Sequence, residues 1–347
     1  MVNALLALNE ILAADGGVAL TSKLMLYLFN RLHEFPEWGQ CAVLQLATRY
    51  TPQSEDEMFD IMNLLEDRFR HANSAVVLAT TKVFLKLTEH SPDLRYDVLR
   101  RLKSPLLTLM SAGGAELAYV ILAHLRVLVG LAPSVFADAH KQFYCRHNDS
   151  TAVKLLKIDI LALVAAASAA VAAPVVAELA EYAASSAAAA AADAGVAEAA
   201  TRALGAVAVA VPAVADSAID ALLQCVETSP LLSSRARAAA AAGANGAGSA
   251  AAATSAAAAA AASDPGLDGV TAEAAVALRD ALRRYPERAS DVLPPLLRVF
   301  AALDRATPSA NTCRAAAAAL WALGAAGDAV AVAPALLEQA VGAWAEA

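Results

Sequence analysis

The stretch HANSAVVLATTKVFLKL, His71 to Leu87, decides the fold class. Asn73 stands where a helix needs an N-cap, and the residues after it place apolar side chains at helical spacing, as at Val76, Val83, Phe84 and Leu87, which makes one buried stripe. The same pattern returns as GGAELAYVILAHLRVLV from Gly113, NDSTAVKLLKIDILALV from Asn148, DAGVAEAATRALGAVAVA from Asp193, DGVTAEAAVALRDALRR from Asp268 and SANTCRAAAAALWALGA from Ser309. The spacing is about 40 residues, as in helical solenoids. Asn73, Asp149 and Asp193 read as the opening caps. One such unit cannot bury its stripe alone, whereas stacked units can, and stacking leaves long solvated edges suited to holding other macromolecules.

Shorter helices are expected to follow each repeated one, over Leu94–Arg101, Val135–Tyr144, Pro174–Ala184, Ala213–Val226, Ala289–Ala302 and Ala329–Leu337, giving a run of antiparallel pairs. Ahead of the repeats, Leu24–Phe35 and Trp38–Tyr50 read as two helices parted at Pro36. Glu55–Arg70 begins acidic and ends basic, which complements a helix dipole. One interval breaks the period. Ser229 to Gly266 is a tract of Ala, Gly and Ser without large apolar residues, so it reads as a disordered insertion at a loop. The expected organisation is a helical trunk over 1–228, the insertion over 229–266 and a continued trunk over 267–347.

Composition agrees with an all-α chain: 347 residues, 59% hydrophobic, 5% aromatic and rich in Ala and Leu. A formal charge of -8 and a pI near 5.3 argue against an extended nucleic-acid surface. Cys41, Cys145, Cys225 and Cys313 are scattered one by one, which suits reduced thiols rather than a disulfide framework. Met1 to Ala14 carries Glu10 and no basic leader, and reads as an amphipathic helix, so the chain is expected to open inside the repeat run. Ile160–Ala177 and Ala238–Ser263 are uncharged, but Ala, Gly and Ser contribute little transfer energy and Pro174 is expected to interrupt the first, so neither is read as a membrane span.

Signatures of catalysis are missing from the string: no phosphate-cradling glycine loop, no zinc-ligand histidine pair on one helix face, no nucleophile elbow. No catalytic, cofactor or metal-binding residue is assigned, and the chain reads as a non-enzyme. Cys145 and His147 are two apart but without further ligands, so a structural role at a helix end is expected. His33, His71, His90, His124 and His140 stand alone and read as capping or packing residues. Glu66 and Asp67 beside Arg68 and Arg70 read as a solvated, ion-paired face. Leu5, Leu6 and Leu8, and also Trp38 and Trp321, read as core. Lys82, Lys86, Arg95, Arg100, Arg101 and Lys103 form the one cluster open to an acidic partner or lipid headgroups, against the plainer reading of ordinary solvated positions.

Particular strings then become familiar. Glu37-Trp38-Gly39-Gln40, Tyr50-Thr51-Pro52, His71 to Leu78 and Lys103-Ser104-Pro105-Leu106-Leu107-Thr108-Leu109 resemble the trunk of the beta adaptins, large subunits of heterotetrameric adaptor complexes. Phe59 to Arg68, and Phe143-Tyr144-Cys145-Arg146 before Asn148-Asp149, look most like the beta subunit of the fourth adaptor complex of plants and algae. Gly269 to Glu273, Leu282 to Pro286 and Ala319 to Gly324 continue the family's order. The resemblance covers Leu20 to Ala347 without the insertion, and the period matches armadillo and HEAT repeats. The family trunk extends further on both sides, so an internal fragment is expected, without hinge or appendage.

The resemblance implies a scaffold that sorts transmembrane cargo into vesicles at the trans-Golgi network. Its implied partners are a second large subunit, a medium subunit and a small one, together with an Arf-type GTPase, and its implied location is cytoplasmic and peripheral on that membrane. No interface residue can be carried over, because the best-known cargo pockets of these complexes lie on the medium and small subunits. A free-standing helical-repeat carrier, such as a nuclear transport receptor, is the alternative.

Overall fold

The computed structural model describes residues 2–184, 194–229, 268–303 and 309–326, with 232, 333–335, 337 and 338. Among them there is no strand. The chain divides into two units, Met1–Leu128 and Val129–Ala347.

In the first unit, α1 (Val2–Ile11), α3 (Glu37–Ala47) and α5 (Ser74–Leu87) pack in succession, while α2 (Ser22–Asn30) packs on α4 (Glu55–Leu65). Alternate helices therefore stack in two layers, which is the repeat architecture read from the period. Local chemistry sets the ends. Thr21 caps α2 by accepting from the Leu24 amide, Ser54 caps α4 from Glu57, and Asn73 caps α5 from Ala75 at 2.8 Å. At the other end of α5 the Arg95 guanidinium donates to the Thr88 carbonyl at 3.3 Å, satisfying an orphan acceptor with a cation where the helix dipole favours one. The stripe of α5 is buried as expected, and its polar members Thr80 and Thr81 return their hydroxyls to the Val76 and Val77 carbonyls.

In the second unit, α9 (Thr151–Ala167), α11 (Ala194–Ala210), α13 (Gly269–Arg284) and α15 (Ala310–Ala326) stack one on the next. Their partners α10 (Ala169–Ala184), α12 (Ala215–Glu227) and α14 (Ala289–Ala302) form the second layer. The fold is all-α with paired helices in a solenoid-type stack, and all six repeated helices lie where the period places them. α13 is buried on nearly every side because it has neighbours on both flanks and behind. Each fully buried Leu or Phe in these layers, such as Leu278 or Phe143, contributes about 1.5–3 kcal/mol.

Several expectations need correction. The partner expected at Leu94–Arg101 is α6 (Pro92–Ala112), a helix that continues through Pro105, since losing one amide donor is offset by burial of Leu99, Leu102, Leu106 and Leu107. Val135–Tyr144 is one short α-helix, α8 (Pro133–Phe136), followed by 3-10 turns over Ala137–Phe143. α7 (Ala115–Leu131) precedes it, and the division between the units falls within that helix. Ile160–Ala177 is interrupted at Ser168 between α9 and α10, not at Pro174, which sits inside α10. No helix among the described residues is long and apolar enough to cross a membrane. Leu8 and Ile11 of α1 are 48% and 76% exposed and Leu5 and Leu6 only half-buried, because α1 has neighbours on one side alone. Trp38 and Trp321 are likewise exposed, at 54% and 38%, rather than core wedges. Asp193, nearly all of the 229–266 insertion and most of Ala329–Leu337 lie outside the described residues; Ser229 itself is buried at the end of α12's turn.

Candidate interaction site

The basic cluster read from sequence resolves into separate tasks. Lys86 pairs with Glu89 at 2.5 Å one turn away, Arg95 closes the end of α5, and Arg101 reaches Glu66 at 3.1 Å. Lys82 and Arg100 are exposed and Lys103 is half-buried. Three of the six are thus engaged by the chain's own acceptors, Lys86, Arg95 and Arg101. Glu66 pairs with Arg101 across a groove of about 680 Å³ lined also by Arg70, His71 and Pro105, rather than with its sequence neighbours Arg68 and Arg70.

Cys145 and Asp149 belong to a polar clasp ahead of α9. Asp149 is not the cap of that helix: its carboxylate accepts from the Arg146 amide at 2.7 Å and from the Lys157 ammonium at 2.6 Å. Lys157, with a side chain only 5% exposed, also donates to the Tyr144 carbonyl at 3.2 Å. The Cys145 amide donates to the Tyr182 hydroxyl at 2.8 Å, which in turn donates to Glu178. Burial pushes the Cys145 thiol up to about 11, so it stays protonated at neutral pH. His147 is exposed in the turn and does not join the clasp. His140 is buried, its Nδ1 at 2.8 Å from the Ala137 carbonyl and its ring edge-on to Tyr144, which is a packing role. Among the described residues no three His, Cys, Asp or Glu side chains come together to hold a metal ion.

A second groove, of about 640 Å³, runs between α11 and α13. Spacing puts Arg202, Ala206 and Val209 on one face of α11, and Glu273, Val276, Asp280 and Arg284 on the facing side of α13. Gly205 lets the two helices approach, since a Cβ there would sit 2.5 Å from that of Ala277. At one end Glu273, only 4% exposed, binds Arg202 of α11 at 2.5 Å and Arg314 of α15 at 2.9 Å. Burial raises the Glu273 carboxyl, but the hydrogen bonds from Arg202 and Arg314 outweigh it and hold the group below the usual carboxylate range. At the other end the Arg283 guanidinium lies 5.5 Å from the Trp321 ring centroid. Sequence reading missed both Glu273 and Lys157; the available signal was a charged residue sitting on an otherwise apolar helix stripe.

Comparison with known proteins adds identity to this geometry. The family model for the adaptin N terminal region matches residues 1–241. The chain belongs to the adaptin family. This adaptin chain is 48% identical over 174 residues to beta-adaptin-like protein A of Arabidopsis thaliana, covering 47% of the chain and 21% of that protein. It is 43% identical over 162 residues to the AP-4 complex subunit beta of Dictyostelium discoideum, covering 46% and 19%. To the AP-1 complex subunit beta-1 of Homo sapiens it is 36% identical over 167 residues, covering 46% and 18%. The chain thus spans about a fifth of the length of these curated relatives. Its fold matches a chain in a homology model of the full-length AP-3 complex in an intermediate open conformation, with a TM-score of 0.62 and 14% identity over 90% of this chain and 49% of that one.

Proposed function

We propose that the chain is a trunk segment of the beta-type large subunit of a heterotetrameric adaptor complex, a non-enzymatic scaffold in vesicle-mediated protein transport. The observation that carries this reading is the adaptin match over residues 1–241 joined to an all-α stack with the fold of an adaptor-complex chain. Relatives named as AP-4 beta subunits, and the strings of Phe59 to Arg68 and Phe143 to Asp149, favour the fourth complex. On this reading the protein holds a second large, a medium and a small subunit. It works on the cytoplasmic side of the trans-Golgi network as a peripheral component recruited by an Arf-type GTPase, and it sorts transmembrane cargo. The tract 229–266 is an insertion between trunk segments 1–228 and 267–347.

The test is affinity purification of the full-length protein from its own cells. Recovery of one second large, one medium and one small subunit in equal amounts is expected. Purification as a monomer bound to a Ran-type GTPase, or with none of the three subunits, overturns the assignment in favour of a free helical-repeat carrier.

A further inference from the structure

We propose that the α11–α13 groove docks an acidic, apolar segment of a partner protein, with the segment's carboxylates on Arg283 and Arg284 and its aliphatic side chains over Val209 and Val276. The floor is built of small residues. Gly205 and Ala277 bring the helices together, and Ala206 between them is exposed, so no side chain of either helix fills the space. Val209 stands 36% exposed at its edge. A trough of this kind gives an incoming aliphatic side chain apolar surface to bury.

Charge sets the orientation. Most arginines around this part of the fold are ion-paired with carboxylates of the chain itself: Arg202 and Arg314 share Glu273, Arg279 is on Asp280, and Arg288 is on Asp216, Asp220 and Asp291. Arg283 and Arg284 differ. Both are exposed, and neither pairs with a carboxylate of the described residues. The Arg283 guanidinium rests 5.5 Å from the Trp321 ring centroid, a cation–π contact that uses the ring face and no carboxylate, and a guanidinium can receive an incoming carboxylate by two parallel hydrogen bonds. On a chain of net charge -8, the groove therefore offers an acidic ligand a local cationic end beside an apolar floor. From Glu273 to Arg284 the groove runs roughly 16 Å at helical rise, room for about three turns of helix or five extended residues. Two unspent cations attract an anionic membrane by only about 2 kcal/mol, and nucleic acid needs a longer basic track, so a protein segment is the occupant that fits.

The inference stands apart from the adaptor assignment, because the chain itself is the receptor. Phage displaying random peptides of about 15 residues, a span sufficient for the groove, are panned on the whole chain. Enriched peptides are expected to carry Asp or Glu next to Leu, Ile or Val, and a labelled synthetic copy should bind in fluorescence anisotropy. Arg283→Glu with Arg284→Glu weakens that copy by roughly tenfold or more, and a Lys-for-Glu copy regains affinity on the charge-reversed protein. Ala206→Trp, at an exposed position, blocks both while leaving the circular dichroism melt in place. Failure to enrich such peptides, or binding indifferent to all three substitutions, overturns the proposal. So does capture of phosphatidylserine vesicles, lost on the same charge reversal, in place of any peptide.

Discussion

Glu273 shows how much one side chain can organise. It lies on α13 and joins α11 and α15 through two guanidinium groups, so three helices meet at one carboxylate. Its folded pKa lies below the ordinary value of 4.5, so the ionised form stabilises the fold above that value and the contribution is lost as the pH falls through the folded pKa. Urea midpoints measured from neutral pH downward should therefore decline below pH 4.5, and Glu273→Gln should flatten that limb while lowering the plateau at pH 7. Among the described residues Lys157 is a second buried charge. Lys157→Met leaves Asp149 half-buried without its cation and is expected to lose about 3 kcal/mol in urea denaturation, whereas adding Asp149→Asn should restore at least half of it. Neither residue was legible as a fastener in the sequence. A lone acid or base on an apolar stripe declares that it is buried but not what it meets: Glu273 draws Arg202 from 71 residues away, and Lys157 meets Asp149 through the turn ahead of its own helix, which the stripe does not encode.

Among the elements, the six repeated helices were legible because each buries one stripe whose period is a local property. Their second-layer partners were less so. α6 runs past Pro105, where a punctuation rule would stop it, because four buried leucines outweigh one missing hydrogen bond. The tryptophans misled for a related reason: size predicts burial on average, yet Trp38 is exposed and Trp321 lies at the groove's edge beside Arg283. Helix approach provides a sharper test. Gly205→Ala adds helix propensity worth about 1 kcal/mol, but its methyl would sit 2.5 Å from Ala277 Cβ and 3.2 Å from its Cα, so the helices must part. Thermal melts should show a net loss of about 1–2 kcal/mol, recovered in the double variant Gly205→Ala with Ala277→Gly.

For the whole molecule, family membership and an all-α stack were readable from strings and period, while the interface was not, since partners dock through exposure that only coordinates reveal. The tract between the trunk segments offers a test at this scale. α12 packs directly on α13. Replacing residues 231–266 with a short Gly-Ser connection should thus leave the thermal midpoint within a few degrees, because loop closure depends only weakly on length. A collapse of cooperative melting would show that the tract supports the stack.

The arrangement at Glu273 also constrains inheritance. An acid held between two bases binds its codon to theirs: changing it alone strands two cations, whereas losing either base still leaves the acid one partner. Descendant sequences should therefore tolerate change at position 202 or 314 more readily than at 273, and a homologue that keeps both arginines opposite a leucine should be scarce.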